Sequence, residues 1–324
     1  MQIIEVQKLS KEFKGVKAVN EVSFDVAQGE IFGFLGPNGA GKSTTIKMLC
    51  TLQKPSSGRA ILNGFDVVKE AREVRKSIGL VFQDPSLDDN LTAEENLDFH
   101  GRIYGVEGKA RRARIDEVLE LIELSDRKKN LVKTFSGGMK RRLEIGRGFL
   151  HYPKVLFLDE PTVGLDPQTR NAIWEYIHQL KVKEKLTIFL TTHYMDEAEN
   201  CDRIAIIDKG EIVALATPAE LKETLGGDVV RLVTVNNQLA KKELVTKLGI
   251  FAQEELGGLV FQVTEGEQFI PRLFKELDSE ILTVTLAKPT LDDVFLKITG
   301  REIRSDEGAE STTALIQRRR GRRG

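Results

Sequence analysis

The chain has 324 residues, more than one hydrophobic core usually serves, so two domains are expected. With 40% hydrophobic and 30% charged residues, its composition is that of a folded globular protein and excludes a disordered one. Its 48 basic and 49 acidic side chains leave a net charge of −1, which excludes a global field aimed at nucleic acid. The first segment reads as two strands, IIEVQKL and VSFDVAQ, split by a turn at Gly15. IFGFLG (31–36) is a buried strand that runs into a glycine-rich loop, and TTIKMLCTL (44–52) is a helix ending at Lys54-Pro55. IGLVFQ (78–83) is another strand.

From Asp84 to about Thr134 the strand-like runs disappear. Helical patterns such as LTAEENLDFHGRIYG and ARRARIDEVLELIEL replace them, with Thr92 and Glu95 spaced for a capping box. This stretch reads as a helical insertion. Strand texture resumes with VLFLDEP (155–161), TIFLTTH (187–193) and RIAIIDKGEIVA (203–214). Short apolar runs alternating with amphipathic stretches place the first unit, residues 1–224, in the α/β class. Phe24, Val26, Ile31, Phe34, Leu156 and Leu158 are the expected sheet core. Arg111, Arg112, Arg114 and the run Lys140-Arg141-Arg142 read as solvated helix faces.

A second unit, residues 225–300, reads as α+β. VVRLVTV, GLVFQV and ILTVTLA are strands; LAKKELVTKLG and QFIPRLFKELD are helices. With FAQEEL (251–256) as a further strand, the order becomes β-α-β-β-α-β, a ferredoxin-like split βαβ. Residues 301–324 are polar and end in RRRGRRG. They read as a disordered basic tail, with contact to anionic lipid as the minority reading.

Cys50 and Cys201 lie far apart, and His100, His151, His178 and His193 are scattered. Plain thiols in a reducing compartment and no zinc site are expected. MQIIEVQKLSKEF shows no basic-then-apolar signal pattern, and no window nears the ~18 apolar residues that span a bilayer. A membrane role must therefore come through a partner.

Three motifs carry the chemistry. Gly36-Pro37-Asn38-Gly39-Ala40-Gly41-Lys42-Ser43 matches G-x-x-x-x-G-K-[ST], between a strand and a helix as the mechanism requires. Its glycines let backbone N–H groups turn inward and cradle phosphate oxygens. Lys42 then reaches the β- and γ-phosphates, and the Ser43 hydroxyl suits Mg²⁺. This loop alone does not choose among kinases, GTPases, motors and transporters, although the lack of Asn-Lys-x-Asp disfavours GTPases. The apolar strand ending in Asp159-Glu160 offers one acid for Mg²⁺ and a second to orient and deprotonate a water. An N-cap acid pair is the plain alternative. Ser136-Gly137-Gly138, taken alone a common turn, opens a basic helix and offers a second potential phosphate-binding N-terminus. One bound nucleotide does not easily need both from one chain, but two chains facing head to tail supply one from each.

In this order the motifs resemble the ATP-binding subunits of the ABC superfamily, over about residues 1–225. Gly36 to Thr44 match Walker A, Gln83 the Q-loop, Asp159-Glu160 Walker B with its catalytic glutamate, Gly164-Leu165-Asp166 the D-loop and His193 the switch histidine. Phe135-Ser136-Gly137-Gly138-Met139 resembles the signature Leu-Ser-Gly-Gly-Gln and departs from it at the first and fifth positions. Phe13 stands where the family stacks an aromatic on adenine. The stretch Lys288 to Leu296, followed by Thr299-Gly300-Arg301, resembles the C-terminal extension of daunorubicin-resistance-type export ATPases. Alternatively, Pro289 simply starts a helix whose face of Leu291, Val294, Phe295 and Ile298 packs locally.

The resemblance implies a RecA-like core with a helical subdomain and an antiparallel β subdomain. It implies ATP and Mg²⁺ (held by Ser43, Gln83 and Asp159) as cofactors, and a dimer in which Ser136 and Gly138 of one chain meet the nucleotide of the other. It further implies coupling through Asp166, and a separate transmembrane permease docked on the helical insertion at the cytoplasmic face of the cell membrane. The cargo of such exporters is a drug, antibiotic, lipid or similar small molecule. The rival class is a soluble ATPase of the same superfamily acting on ribosomes or nucleic acid. Such proteins carry paired ATPase units, coiled-coil arms or cysteine-rich insertions, and this chain has one motif set, no long heptads and two cysteines. A non-catalytic regulator is disfavoured by Glu160 and His193.

Overall fold

A computed structural model describes residues 1–84, 86–255 and 257–300. The basic tail and its lipid contact lie outside the described residues, as do Pro85 in the insertion and Leu256 at the end of FAQEEL. The chain forms two compact units that divide between Leu215 and Ala216.

In the first unit, β1 (Gln2–Phe13) and β2 (Val16–Ala27) form a long antiparallel hairpin, turned by Lys14 and Gly15 at φ 46° and 84°. β3 (Ile31–Leu35) leaves it for the centre of the unit and is followed by α1 (Lys42–Leu49). β4 (Ser57–Leu62) and β5 (Phe65–Asp66) return to complete an antiparallel sheet in the order β2-β1-β4-β5. Then come α2 (Ala71–Ser77) and β6 (Ile78–Val81). The helical region follows: α3 (Ala93–Ile103), α4 (Gly108–Leu121) and α5 (Gly137–Phe149), with 3-10 turns at Ser125–Arg127 and Val132–Thr134. At the start of α3 both arms of the capping box form: Glu95 N–H donates to Thr92 Oγ1 at 3.2 Å, and Thr92 N–H to Glu95 Oε2 at 2.8 Å.

β7 (Val155–Asp159), α6 (Pro167–Glu184), β8 (Thr187–Thr192), α7 (Met195–Ala198), β9 (Arg203–Asp208) and β10 (Glu211–Ala216) finish the unit. Its second sheet has the order β10-β9-β3-β8-β7-β6, with parallel pairing from β9 through to β6. Every residue of β3, β7 and β8 is buried, the pattern of parallel strands covered on both faces. In such a sheet ligands gather at the carboxyl ends of the strands. Those ends are where Gly36, Gln83, Glu160 and His193 emerge.

The core beneath is aromatic. Phe189 lies with its ring centroid 5.3–6.0 Å from those of Phe24, Phe32, Phe34 and Phe157. Phe189→Ala empties the middle of this cluster, and a loss of about 3–5 kcal/mol is expected in chemical denaturation. A loss under about 1 kcal/mol would mean that the cluster collapses into the space.

Three of the arginines expected on solvated helix faces, Arg111, Arg114 and Arg141, are not there. Arg114 is 3% exposed; its guanidinium forms two bonds to Glu184, at 3.1 and 2.9 Å, and lies 4.1 Å from the Tyr152 ring centroid. Arg111 donates to Asp98 Oδ1 at 2.6 Å and to Val106 O at 2.7 Å. Their apolar stems pack while the charged heads find acceptors on neighbouring segments. Arg112 is exposed.

The second unit contains α8 (Pro218–Glu223), β11 (Asp228–Thr234), α9 (Asn237–Glu243) continued by a π turn at Leu244–Leu248, β12 (Gln253–Glu255), β13 (Gly258–Val263), α10 (Gly266–Glu276), β14 (Ile281–Ala287) and α11 (Leu291–Thr299). Its strands form one antiparallel sheet in the order β12-β13-β11-β14, which is the split βαβ topology. The unit begins at Ala216, ahead of the 224/225 boundary read from the sequence, because α8 packs on α11. Pro289 does not start α11. Thr290 is its N-cap, in a capping box with Asp293, so the proline sits one residue outside. Leu291, Val294 and Phe295 are buried, whereas Ile298 is 39% exposed and drops out of the packed face.

Candidate active site

The loop from β3 to α1 is shaped by glycine. Gly41 has φ 109°, and a side chain there would run into the backbone of Ala18; one at Gly36 would overlap the carbonyl of Ile207. Gly41 is also the N-cap of α1 and supplies no side-chain cap, which leaves first-turn N–H groups for an anion. Lys42, the first residue of α1, is 5% exposed. Its Nζ donates to Gly36 O at 2.8 Å and Pro37 O at 3.2 Å and lies 3.2 Å from Glu160 Oε1. Burial lowers its pKa, and the charges of Glu160 and Asp159 oppose that.

Asp159 ends β7. Its Oδ1 accepts from Ser43 Oγ at 3.1 Å and from Thr191 Oγ1 at 2.6 Å. Glu160, the next residue, has φ 46°, and its N–H donates to Thr191 Oγ1 at 3.1 Å. This backward turn at the strand end brings Glu160 Oε1 to 3.3 Å from His193 Nδ1. The ring nitrogen is close to the carboxylate without being aimed along a hydrogen bond. Burial raises the pKa of Glu160, but His193 and Lys42 together outweigh it and hold the carboxyl below its usual value. The group is therefore ionised at neutral pH.

These residues share one cleft of about 520 Å³, in which Asn38, Gly39, Gly41, Lys42, Ser43 and Thr44 face Gln83, Glu160 and His193. That volume suits a small-molecule ligand. Gly36, Pro37, Ala40 and Asp159 are set behind its surface. Phe13 is not among the residues that line it; its ring, 42% exposed, lies at the hairpin end of β1 under the Lys11 ammonium, 5.1 Å from the ring centroid. Ser136, Gly137, Gly138 and Asp166 stand apart from the cleft. Ser136 is the N-cap of α5, accepting from Met139 N–H at 3.3 Å, and Asp166 is the N-cap of α6, accepting from Thr169 N–H at 3.0 Å. Thr169 holds the Asp166 carboxyl below its usual pKa.

Sequence reading passed over three residues that build the site. Thr191 links Asp159 to the Glu160 amide. Glu197, 2% exposed, accepts from Thr192 Oγ1 at 2.7 Å and from Thr162 Oγ1, tying the segment of His193 to the one that follows Glu160; burial raises its pKa. Arg141, expected on a solvated face, is 7% exposed and reaches the backbone of Phe82 and Pro161 at 2.7 and 2.6 Å. Of the three, Glu197 lies four positions beyond His193 in the chain.

The ABC transporter family model matches residues 19–163, and the model for the C-terminal domain of DrrA1-3-like ATP-binding proteins matches residues 217–299. The linearmycin resistance ATP-binding protein LnrL of Bacillus subtilis is 38% identical over 93% of this chain and 100% of its own length. The daunorubicin/doxorubicin resistance ATP-binding protein DrrA of Streptomyces peucetius is 40% identical over 92% of each chain. Among solved structures, the ATP-binding subunit of an ABC transporter matches with a TM-score of 0.62 and 32% identity, over 69% of this chain and 93% of that one. A dimeric ATP-binding cassette in a post-hydrolysis state, bound to ADP and phosphate, matches with a TM-score of 0.60 and 27% identity, over 66% and 98%. With its nucleotide-sized cleft and its DrrA-like second unit, the chain belongs to the ATP-binding subunits of ABC transporters and is an ATPase.

Proposed function

We propose that the chain drives an exporter: two copies, paired head to tail at the cytoplasmic face of a cell membrane, hydrolyse ATP beneath a separate permease. The observation that carries the hydrolytic reading is Glu160, held within 3.3 Å of both Lys42 and His193 at the mouth of the glycine-rich loop. In this reading Lys42 and the N–H groups at the start of α1 bind the β- and γ-phosphates. Glu160 takes a proton from water as its oxygen attacks the γ-phosphorus, the bond to the β–γ bridging oxygen breaks, and ADP leaves. His193 contacts the γ-phosphate and the water. Ser136 and the N–H groups of Gly137 and Gly138 complete the site from the partner copy, and Asp166 couples the two sites. Phe13 stacks on adenine.

Ser43 Oγ and Asp159 Oδ1, 3.1 Å apart, are the hard oxygen donors that Mg²⁺ selects, and Gln83 lines the same cleft. Bound there, Mg²⁺ supplies charge neutralisation on the phosphates.

Export is supported by the resistance proteins among the relatives, and a drug, antibiotic, lipid or similar small molecule is the cargo class. A separate permease is supported by the absence, among the described residues, of any helix long and apolar enough to cross a membrane. To test this, the tagged chain is purified from its host's membranes in mild detergent. A polytopic membrane protein in near-equal amount is expected. Ribosomes or nucleic acid with no membrane partner would overturn the transport reading and leave the ATPase standing.

A further inference from the structure

The left-handed backbone of Glu160, φ 46°, is disfavoured for a residue with a Cβ. Such a conformation persists only where its surroundings over-determine it. The amide side is held by Thr191. The carbonyl side is held by one guanidinium. Arg141 Nη2 donates to Glu160 O at 3.3 Å and to Asp159 O at 3.4 Å, Nε to Pro161 O at 2.6 Å, and Nη1 to Phe82 O at 2.7 Å and Glu144 Oε2 at 3.1 Å. Five bonds exhaust the donors of an arginine. Four of the acceptors are backbone carbonyls, from the two segments that carry Glu160 and Gln83. The same face of α5 holds the second segment again: Glu144 Oε1 accepts from Ser86 N–H at 2.7 Å, and Arg147 donates to Ser86 O at 2.6 Å.

Arg141 stands five positions after Ser136 on the same helix. One end of α5 is thus the segment read above as facing the partner's nucleotide, while its middle grips the backbone of the chain's own cleft. We propose that Arg141 is a positioning residue for Glu160: it fixes the strained peptide beneath the base and links it to the Gln83 segment, so that movement of α5 is felt at the carboxylate. The proposal rests on the reading of Glu160 as the base. It assigns Arg141 no contact with ATP. A lysine keeps the charge and most of the stem but has three donors from one point in place of a planar fork of five.

The test is a double-mutant cycle on the full chain, with hydrolysis followed in single turnovers so that slow variants remain measurable. Arg141→Lys is expected to lower kcat on the order of 10²-fold with KM for ATP and ADP affinity unchanged. In the Glu160→Gln background the same substitution is expected to cost nothing further, because an effect that works through the carboxylate disappears with it. A variant that retains kcat, or one that loses the same factor in both backgrounds, would overturn the proposal; the second result is what a general loosening of the fold produces. Full turnover by Glu160→Gln alone would remove the base itself, a failure recognised without any Arg141 variant, and the proposal would fall with it. Should Arg141→Lys not fold, Glu144→Gln, which removes the charge facing Nη1 and leaves one oxygen for the two donors Arg141 Nη1 and Ser86 N–H, carries the same cycle with a smaller loss expected.

Discussion

Replacing Glu160 by glutamine is expected to lower ATP turnover by about 10² to 10⁴-fold while nucleotide binding survives and the ATP-bound pair accumulates. The carboxylate is 8% exposed and sits between the Lys42 ammonium, at 3.2 Å, and His193 Nδ1, at 3.3 Å. Glutamine has the same shape and keeps one oxygen for Lys42, so the loop should hold its geometry. What it removes is the proton acceptor. Because His193 and Lys42 together outweigh the effect of burial and hold the Glu160 carboxyl below its usual pKa, it is ready to accept a proton from water, and among the described residues no other carboxylate lines the cleft. Thr191 Oγ1 is engaged by Asp159, and Asp159 itself faces Ser43. Steady-state hydrolysis with and without the substitution, followed by light scattering in ATP, reads both halves. Turnover at the wild-type rate would show that Glu160 is not the base. Lost turnover without an accumulated pair would keep the base and count against the head-to-tail dimer.

The strand-loop-helix setting of the glycine-rich loop was legible because its residues are contiguous. Glycines that must turn, a lysine that must reach back and a hydroxyl beside it lie within eight residues, between a strand and a helix. The alternation of strands and helices in the second unit was legible for a similar reason, since each element announces itself by its own period. Arg141 and Arg114 were not. A basic residue on a helix looks solvated until the segments around it are known, and four of the acceptors of Arg141 are backbone carbonyls, which leave no mark in a sequence. Phe82 lies 59 positions away from it and Pro161 lies 20. Thr191 was hidden for a related reason: inside TIFLTT, threonine reads as a strand former, and only the register that sets it opposite Asp159 shows what its hydroxyl does. Pro289 misled in a smaller way, because proline is favoured at a helix start, yet Thr290 with Asp293 was the stronger cap.

Lys42→Ala is expected to weaken ATP binding by about 30-fold or more, read by calorimetry on the intact chain. The ammonium is buried and held by Gly36 O, Pro37 O and Glu160. The two carbonyls keep it in the mouth of the loop beside Glu160. Binding then brings phosphate oxygens to a lysine that is already desolvated and in place, so little ordering is required when ATP arrives. Truncating one member of such a buried, hydrogen-bonded charge pair typically costs about 2–5 kcal/mol, and about 1.4 kcal/mol is a factor of ten. The same truncation leaves Glu160 facing only His193, with its charge less well compensated and its pKa correspondingly higher. Hydrolysis should therefore fall further than binding does, even at saturating ATP. Unchanged affinity would mean that the glycine-rich loop is not the phosphate site; reduced affinity with a normal saturated rate would mean that Lys42 binds ATP but has no part in holding the base.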